Sequence, residues 1–547
     1  MQKIIKGNIL FIIVLAIAIV FTFWNLPQTF YQQDEWQVLG LNLVQGTSNI
    51  IKYTSPLQLL FGEGRPLVRA LNLIFFGIFK FTVIPTALFA ILMHIVNSVL
   101  VFYLVKKITL KNVIAFIASL FFAVNAVAHQ AVTWAAAVGT LPATTLILLS
   151  ILSYLKFLEE KKKKWLLFSF FSTIISLLFK ENGIFLFVFI PALYFIYNKK
   201  RTSIDFIKTH VLFIFYGGAI VLFRLSEFSL SIDKKVGVFV SGGTGFNQRV
   251  LLHLILYPIT GFFQIFVPPL TFYNLANKFT QLQYPFVIST PLAGLVPQTI
   301  VSDLIAVIGT LIIVSLVLLL NRNNKYKDTT FLLFSIFLTL FSFLPYAVLD
   351  RGGSYMDSRY YYLAAIGGGM ILGYILNFFL QKTKILVLIP IILASLLIFF
   401  HIKVIKDEIS YQVKIARVRL YILNTIKQTH PTLSNKNIFY IIGNQDYYIS
   451  NNPLPMQQGM GYTLMVWYYD TKKIPSALLN DNFIWNIGSQ GYKEINGAGF
   501  GYFSDFNTLL ETYKKYDLLP EKVISFYWDG KKEKLIDTSV KIRTFLK

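Results

Sequence analysis

Apolar runs of near membrane-crossing length alternate along this chain with short polar segments that are mostly basic. A helix needs roughly 20 apolar residues to cross a bilayer core. Eleven stretches approach that length: 8–24, 85–105, 112–128, 138–157, 165–179, 184–197, 208–223, 301–320, 330–349, 361–380 and 385–402. The segment 250–270, "VLLHLILYPITGFFQIFVPPL", is apolar enough to cross as well. A single crossing there would put the later "NRNNKYK" cluster on the side that basic loops avoid. The stretch 250–300 is therefore expected to be re-entrant, surface-lying or a hairpin of two crossings. The count becomes eleven or thirteen spans, and either leaves the C-terminus opposite the N-terminus. Beyond about residue 410 the pattern changes to strand-like runs broken by Asn, Pro and Gly. Within that region "FNTLLETYKKY" (506–516) predicts a short helix and "VISFYWDGKKEKLI" (523–536) a hairpin turning at Asp-Gly.

Composition agrees with a polytopic α-helical membrane protein. Hydrophobic residues make up 55% of the 547, and only 14% are charged, too apolar a chain for a soluble interior to hide. Fifty Lys and Arg against 26 Asp and Glu give a formal net charge of +24. The basic residues fall in clusters between apolar runs, "VKKITLK" (105–111), "EEKKKKW" (159–165) and "NKKR" (198–201). This is the pattern of cytoplasmic loops, and it excludes nucleic acid as the partner. The absence of Cys excludes disulfides, thiolate catalysis and Cys-ligated metals. The N-terminal apolar core ends at Trp24 without a small-residue cleavage site, so it is expected to be retained as a first span with a cytoplasmic N-terminus. The expected location is the plasma membrane, multi-pass, and the expected domains are 1–409 in the membrane and 410–547 as a small extracytoplasmic α/β domain. The long first outside loop, 25–84, is expected to lie along the membrane as amphipathic helices, and its length marks it as a place for a site.

Alternate crossings gather Asp34, Glu35, Arg65, His129, Lys180, Glu181, Arg224, Asp350, Arg351, Asp357 and Arg359 on the outer side. Carboxylates and fixed cations at one depth suit the handling of an anion such as a lipid-linked phosphate, with a carboxylate able to deprotonate an acceptor or hold a divalent cation. Structural readings stand beside these: a span-end ion pair for Lys180 and Glu181, an ion pair in an aromatic belt for Asp357 and Arg359, and an interfacial structural role for His129. "SGGTGFNQR" (241–249) lacks the Lys-Ser/Thr of a phosphate-cradling loop. Six His and no Cys give zinc little support.

Together, "QQDEW" after the first span, "GRPLVRALNLIFFGIF" (64–79), "LFAILMHIVNSVLVFYLVKKI" (88–108), the stretch 116–155, "SLLFKENG" (176–183) and "DSRYYYLAAIGGG" (357–369) resemble the GT-C superfamily of membrane glycosyltransferases. Within it they look most like the protein O-mannosyltransferase branch that includes the transmembrane-and-TPR proteins. The resemblance implies a GT-C-like fold and inverting transfer of a sugar from a polyprenyl-phosphate donor to an acceptor hydroxyl of a protein, lipid or polysaccharide. It implies Asp34 as the catalytic carboxylate, acting as base or, in relatives that need one, as ligand to a divalent cation such as Mg or Mn. Glu35 would orient the acceptor, and Arg65, Lys180 and Arg359 would hold the donor phosphate. His129, Glu181 and Asp357 are accessory candidates. Relatives carry an "HPVH…E" stretch where this chain has "NAVAHQAVTW", so Gln130 stands where a Glu is expected and Thr140 where an Arg commonly follows Gly. No TPR array follows the spans. These departures leave donor sugar and acceptor open. Two other classes remain: a transporter or flippase of lipid-linked saccharides, which would need charges at mid-span, and a non-catalytic envelope scaffold.

Overall fold

The structure is a computed structural model, and it describes residues 8–32, 34–46, 49–55, 65–197, 203–231, 248–283, 295–322, 326–349, 358–380, 384–445, 447, 454–456 and 459–547. Every one of the eleven expected apolar runs forms helix over most of its length. Among the described residues, six helices are long and apolar enough to cross a membrane: Ile9–Gln28, Ile84–Thr109, Ala135–Glu160, Thr299–Asn321, Thr329–Tyr346 and Leu388–Thr429. Shorter apolar helices are Pro66–Ile78, Asn112–Ala123, Glu181–Tyr197 and Ala364–Leu380. The expected run 112–128 ends early, at Ala123, because Asn125 turns the chain. Its Oδ1 accepts from the amides of Val127 and Ala128 at 3.0 and 3.1 Å. The ambiguous segment forms two helices, Gln248–Gln264 and Pro269–Gln283.

The chain divides into two compact units, residues 1–24 with 89–407 and residues 25–88 with 408–547. The first is a helical bundle. The helices Thr140–Glu160 and Lys163–Phe179 form a tight pair whose connection passes through Lys161 in the left-handed region, φ 57°. Ser150 Oγ bonds Ser169 O at 2.9 Å and Thr173 Oγ1 at 2.9 Å between the two helices, a hydroxyl contact suited to an apolar surround. Helix Ala364–Leu380 lies backbone-close to Asn112–Ala123. A Cβ added to Gly369 would collide with the Ala118 carbonyl oxygen, and one on Gly373 would sit 3.0 Å from that of Ile114. Inside the bundle buried His94 bonds Tyr362 Oη at 2.7 Å and Ala123 O at 2.8 Å.

The second unit holds a five-stranded sheet in the order β2-β3-β1-β4-β5. Its strands are β1 (Lys436–Gly443), β2 (Gly491–Ile495), β3 (Ala498–Phe503), β4 (Val523–Asp529) and β5 (Lys534–Asp537). Central β1 is parallel to β3 and β4, and the outer strands pair antiparallel. Alternate residues of β1 feed two faces. Ile438 and Tyr440 join Phe503, Leu509 and Leu546 on one, and Phe439 stacks with Phe500 and Tyr468 on the other. The hairpin at Asp529–Gly530 and the helix Phe506–Lys515 form as expected, the latter capped by Asp505, whose Oδ2 accepts from Thr508 N at 2.7 Å. The long first loop belongs to this same unit as a chain of short helices, among them Glu35–Gln45, Pro66–Asn72 and a π-helical turn Leu73–Ile78. Helix Glu35–Gln45 approaches Met460–Trp467 closely at Gly40, where a Cβ would meet Tyr462 Oη at 2.6 Å.

Candidate active site

Phe30, Tyr31 and Trp36 surround the acidic pair, and all three are buried. Tyr31 donates from its hydroxyl to Lys80 O at 3.0 Å, tying the entry of the segment to the end of the loop. The rings of Tyr31 and Trp36 meet edge-on at 6.0 Å, and Trp36 meets Trp467 at 6.4 Å. Asp34 stands at the N-cap of Glu35–Gln45 and is half-buried; its carbonyl accepts from Val38 N at 3.0 Å. Glu35 opens the helix and is only 2% exposed. Its carboxylate reinforces burial in pushing the Tyr31 hydroxyl above its ordinary range. Behind the two acids lies Arg419, fully buried, which donates from Nε to Pro455 O at 2.6 Å and from its two terminal nitrogens to Phe30 O at 3.5 Å and Gln32 Oε1 at 3.4 Å. Arg65, half-buried, is the N-cap of Pro66–Asn72 in the same unit.

In the bundle, three separate stretches converge. Lys180 ends the helix Lys163–Phe179 in extended conformation, is 6% exposed, and donates to Thr140 Oγ1 at 2.7 Å. Its ammonium lies 5.7 Å from the centre of the Tyr360 ring. The guanidinium of Arg359 covers the same ring at 4.7 Å and the Trp134 ring at 4.5 Å. Tyr360 in turn stacks on Tyr346 at 4.2 Å, and Tyr346 Oη donates to Asn182 Oδ1 at 2.5 Å. Two cations thus share one aromatic ring, which is itself braced by the turn following Lys180. Ring faces attract cations without taking a proton from them.

Glu181 begins the turn Glu181–Phe185, beside Lys180 in the chain and half-buried. His129 caps the four-residue helix Gln130–Thr133 and bonds Thr133 Oγ1 through Nδ1 at 3.0 Å, a local structural contact. Gln130 donates its amide to Ser358 Oγ at 3.3 Å, bringing that helix to the stretch bearing Arg359. Asp350, Arg351 and Asp357 lie outside the described residues, as does the side chain of Arg224. Among the described residues, no three His, Asp or Glu side chains gather as a group that could hold a metal ion.

Sequence reading missed Arg419 and the aromatic seat of Arg359. The first had a signal. Ile415, Ala416, Val418, Ile422, Leu423 and Ile426 are buried on the same helix, and the 3.6-residue period puts Arg419 in that stripe. Trp134 and Tyr360 carried only the weaker signal of aromatic residues near basic ones.

Residues 64–226 match the family model of the dolichyl-phosphate-mannose-protein mannosyltransferases. The matched segment contains Arg65, His129, Thr140, Lys180 and Glu181, whereas Asp34, Glu35 and Arg359 fall outside it. No curated protein matches the chain. With its apolar helices, the family match supports a multi-pass membrane glycosyltransferase of the GT-C type.

Proposed function

We propose that this chain is an inverting glycosyltransferase that moves a hexose from a polyprenyl-phosphate donor to an acceptor hydroxyl at the outer face of the membrane. The observation that carries the reading is the pairing of Lys180 and Arg359 on the Tyr360 ring. Departure of a lipid phosphate leaves charge on its oxygens in a surround of low dielectric, where fixed cations stabilise it most. The name of the family matched by residues 64–226 supports a lipid-linked mannose as the class of donor.

In this proposal Asp34 takes the proton of the acceptor hydroxyl as its oxygen attacks the anomeric carbon. The bond from that carbon to the phosphate oxygen breaks, and the lipid phosphate leaves with the electron pair. One displacement inverts the anomeric centre. Glu35 orients the acceptor. Lys180 and Arg359 hold the phosphate before and after the bond breaks, with Arg65 a third cation for the donor. The outward placement of the site and of the 408–547 region rests on the basic loops between spans.

The test is transfer of radiolabelled hexose from a panel of polyprenyl-phosphate donors in membranes carrying the protein, with and without EDTA. Label should enter an acceptor from at least one donor, and failure with every donor overturns the proposal.

A further inference from the structure

Gln130 opens the short helix Gln130–Thr133, and Trp134 ends it as the C-cap in extended conformation. Gln130 Oε1 and Trp134 Nε1 are both buried, and among the described residues neither has a hydrogen-bond partner. Leaving a buried acceptor and a buried donor unpaired is costly, and native interiors rarely tolerate it. The turn that carries them is nevertheless held firmly. Gln130 N–H donates to Ser358 Oγ at 3.3 Å, Ser358 Oγ donates to Val127 O at 2.5 Å, and Trp134 N–H donates to Gln130 O at 3.1 Å. The Trp134 ring carries the Arg359 guanidinium at 4.5 Å. A rigid element thus presents one neutral acceptor and one neutral donor beside a phosphate-class cation.

We propose that Gln130 Oε1 and Trp134 Nε1 form a hexose-hydroxyl subsite that selects the sugar on the lipid-phosphate donor. The inference rests on the proposed donor class and adds the means of sugar choice. A carbonyl oxygen repels phosphate, so this pair does not extend the anion site. Adjacent sugar hydroxyls match it, one donating to Oε1 and the next accepting from the indole N–H. A site built to hydrogen-bond a hydroxyl discriminates strongly against a substrate that lacks it.

The variants Gln130→Met and Trp134→Phe remove the polar atoms while keeping bulk, and Phe still offers a ring to Arg359. Each purified full-length protein is assayed with the accepted polyprenyl-phosphate hexose and with its monodeoxy derivatives. Wild type should lose about tenfold in kcat/KM on two of the monodeoxy donors. Trp134→Phe should lose about as much on the parent donor and show no further loss on one of those two, and Gln130→Met should do the same for the other. The ratio of parent to deoxy donor is internal to each preparation, so a smaller folded fraction does not mimic the result. Unchanged deoxy discrimination in both variants overturns the inference and assigns the pair to trapped water. If wild type uses no lipid-phosphate hexose, the donor reading fails and this inference falls with it, a result distinct from active but indiscriminate variants.

Discussion

Lys180 and Asp34 ask different things of their surroundings. Lys180 is almost wholly buried, donates to a threonine hydroxyl and lies beside an aromatic ring. Asp34 is half-buried at a helix start. Lys180→Met should lower kcat/KM by about 10²–10³-fold through lost stabilisation of the leaving phosphate. Asp34→Asn should lower kcat by about 10²–10⁴-fold while donor binding persists, because only the proton acceptor is removed. Donor binding and turnover measured on the same preparations check both. Equal turnover of Asp34→Asn and wild type would remove Asp34 from the chemistry. Both residues stand out in the sequence as candidates because charges are scarce next to apolar runs. Their seats were not, since ring stacking joins residues more than a hundred positions apart.

Helices were read well at the level of elements, as each apolar run became one, and hydrophobic length is a local property. Their ends were read less well. Asn125 stops one helix before its apolar run is exhausted, while Lys384–Thr429 continues for 46 residues through the place where apolar composition stops. Apolar content reports the surround and not the backbone, so it cannot mark either end. Packing between elements turns on single glycines. Gly369→Ala forces a Cβ into the Ala118 carbonyl and should cost about 1–3 kcal/mol. Gly218, in helix Ser203–Ser231, has nothing within 4 Å of an added Cβ. Gly218→Ala should leave stability unchanged or raise it by up to about 1 kcal/mol. Thermal unfolding of both variants in one detergent checks the pair. A destabilised Gly218→Ala, or a stabilised Gly369→Ala, would contradict the close helix approach.

For the molecule as a whole, division into a membrane-embedded part and a C-terminal α/β region was expected from the change of pattern near residue 410. The association of the first loop with that region had no sequence signature. It depends on contacts such as Arg419 to Phe30 and Gln32, across nearly four hundred residues, which no local pattern encodes. Arg419→Met relieves the burial of a charge but removes the donor to the Pro455 and Phe30 carbonyls. The expected net loss is about 1–3 kcal/mol for the unit holding residues 25–88 and 408–547. Faster proteolytic cutting within 25–88 than in wild type is the measurable consequence, and equal rates would show that the guanidinium is not what secures the segment.

The same contacts set an order of events during synthesis. The acidic segment leaves the ribosome among the first residues, yet the arginine that grips it is made almost four hundred residues later and the strands of its sheet later still. Contacts of such separation form last and slowly. Until then the segment bearing Asp34 and Glu35 lacks the Arg419 contacts, so a chain ended before that arginine would keep its early spans without them. Under the proposed function, completion of translation would then be the step that arms the transferase.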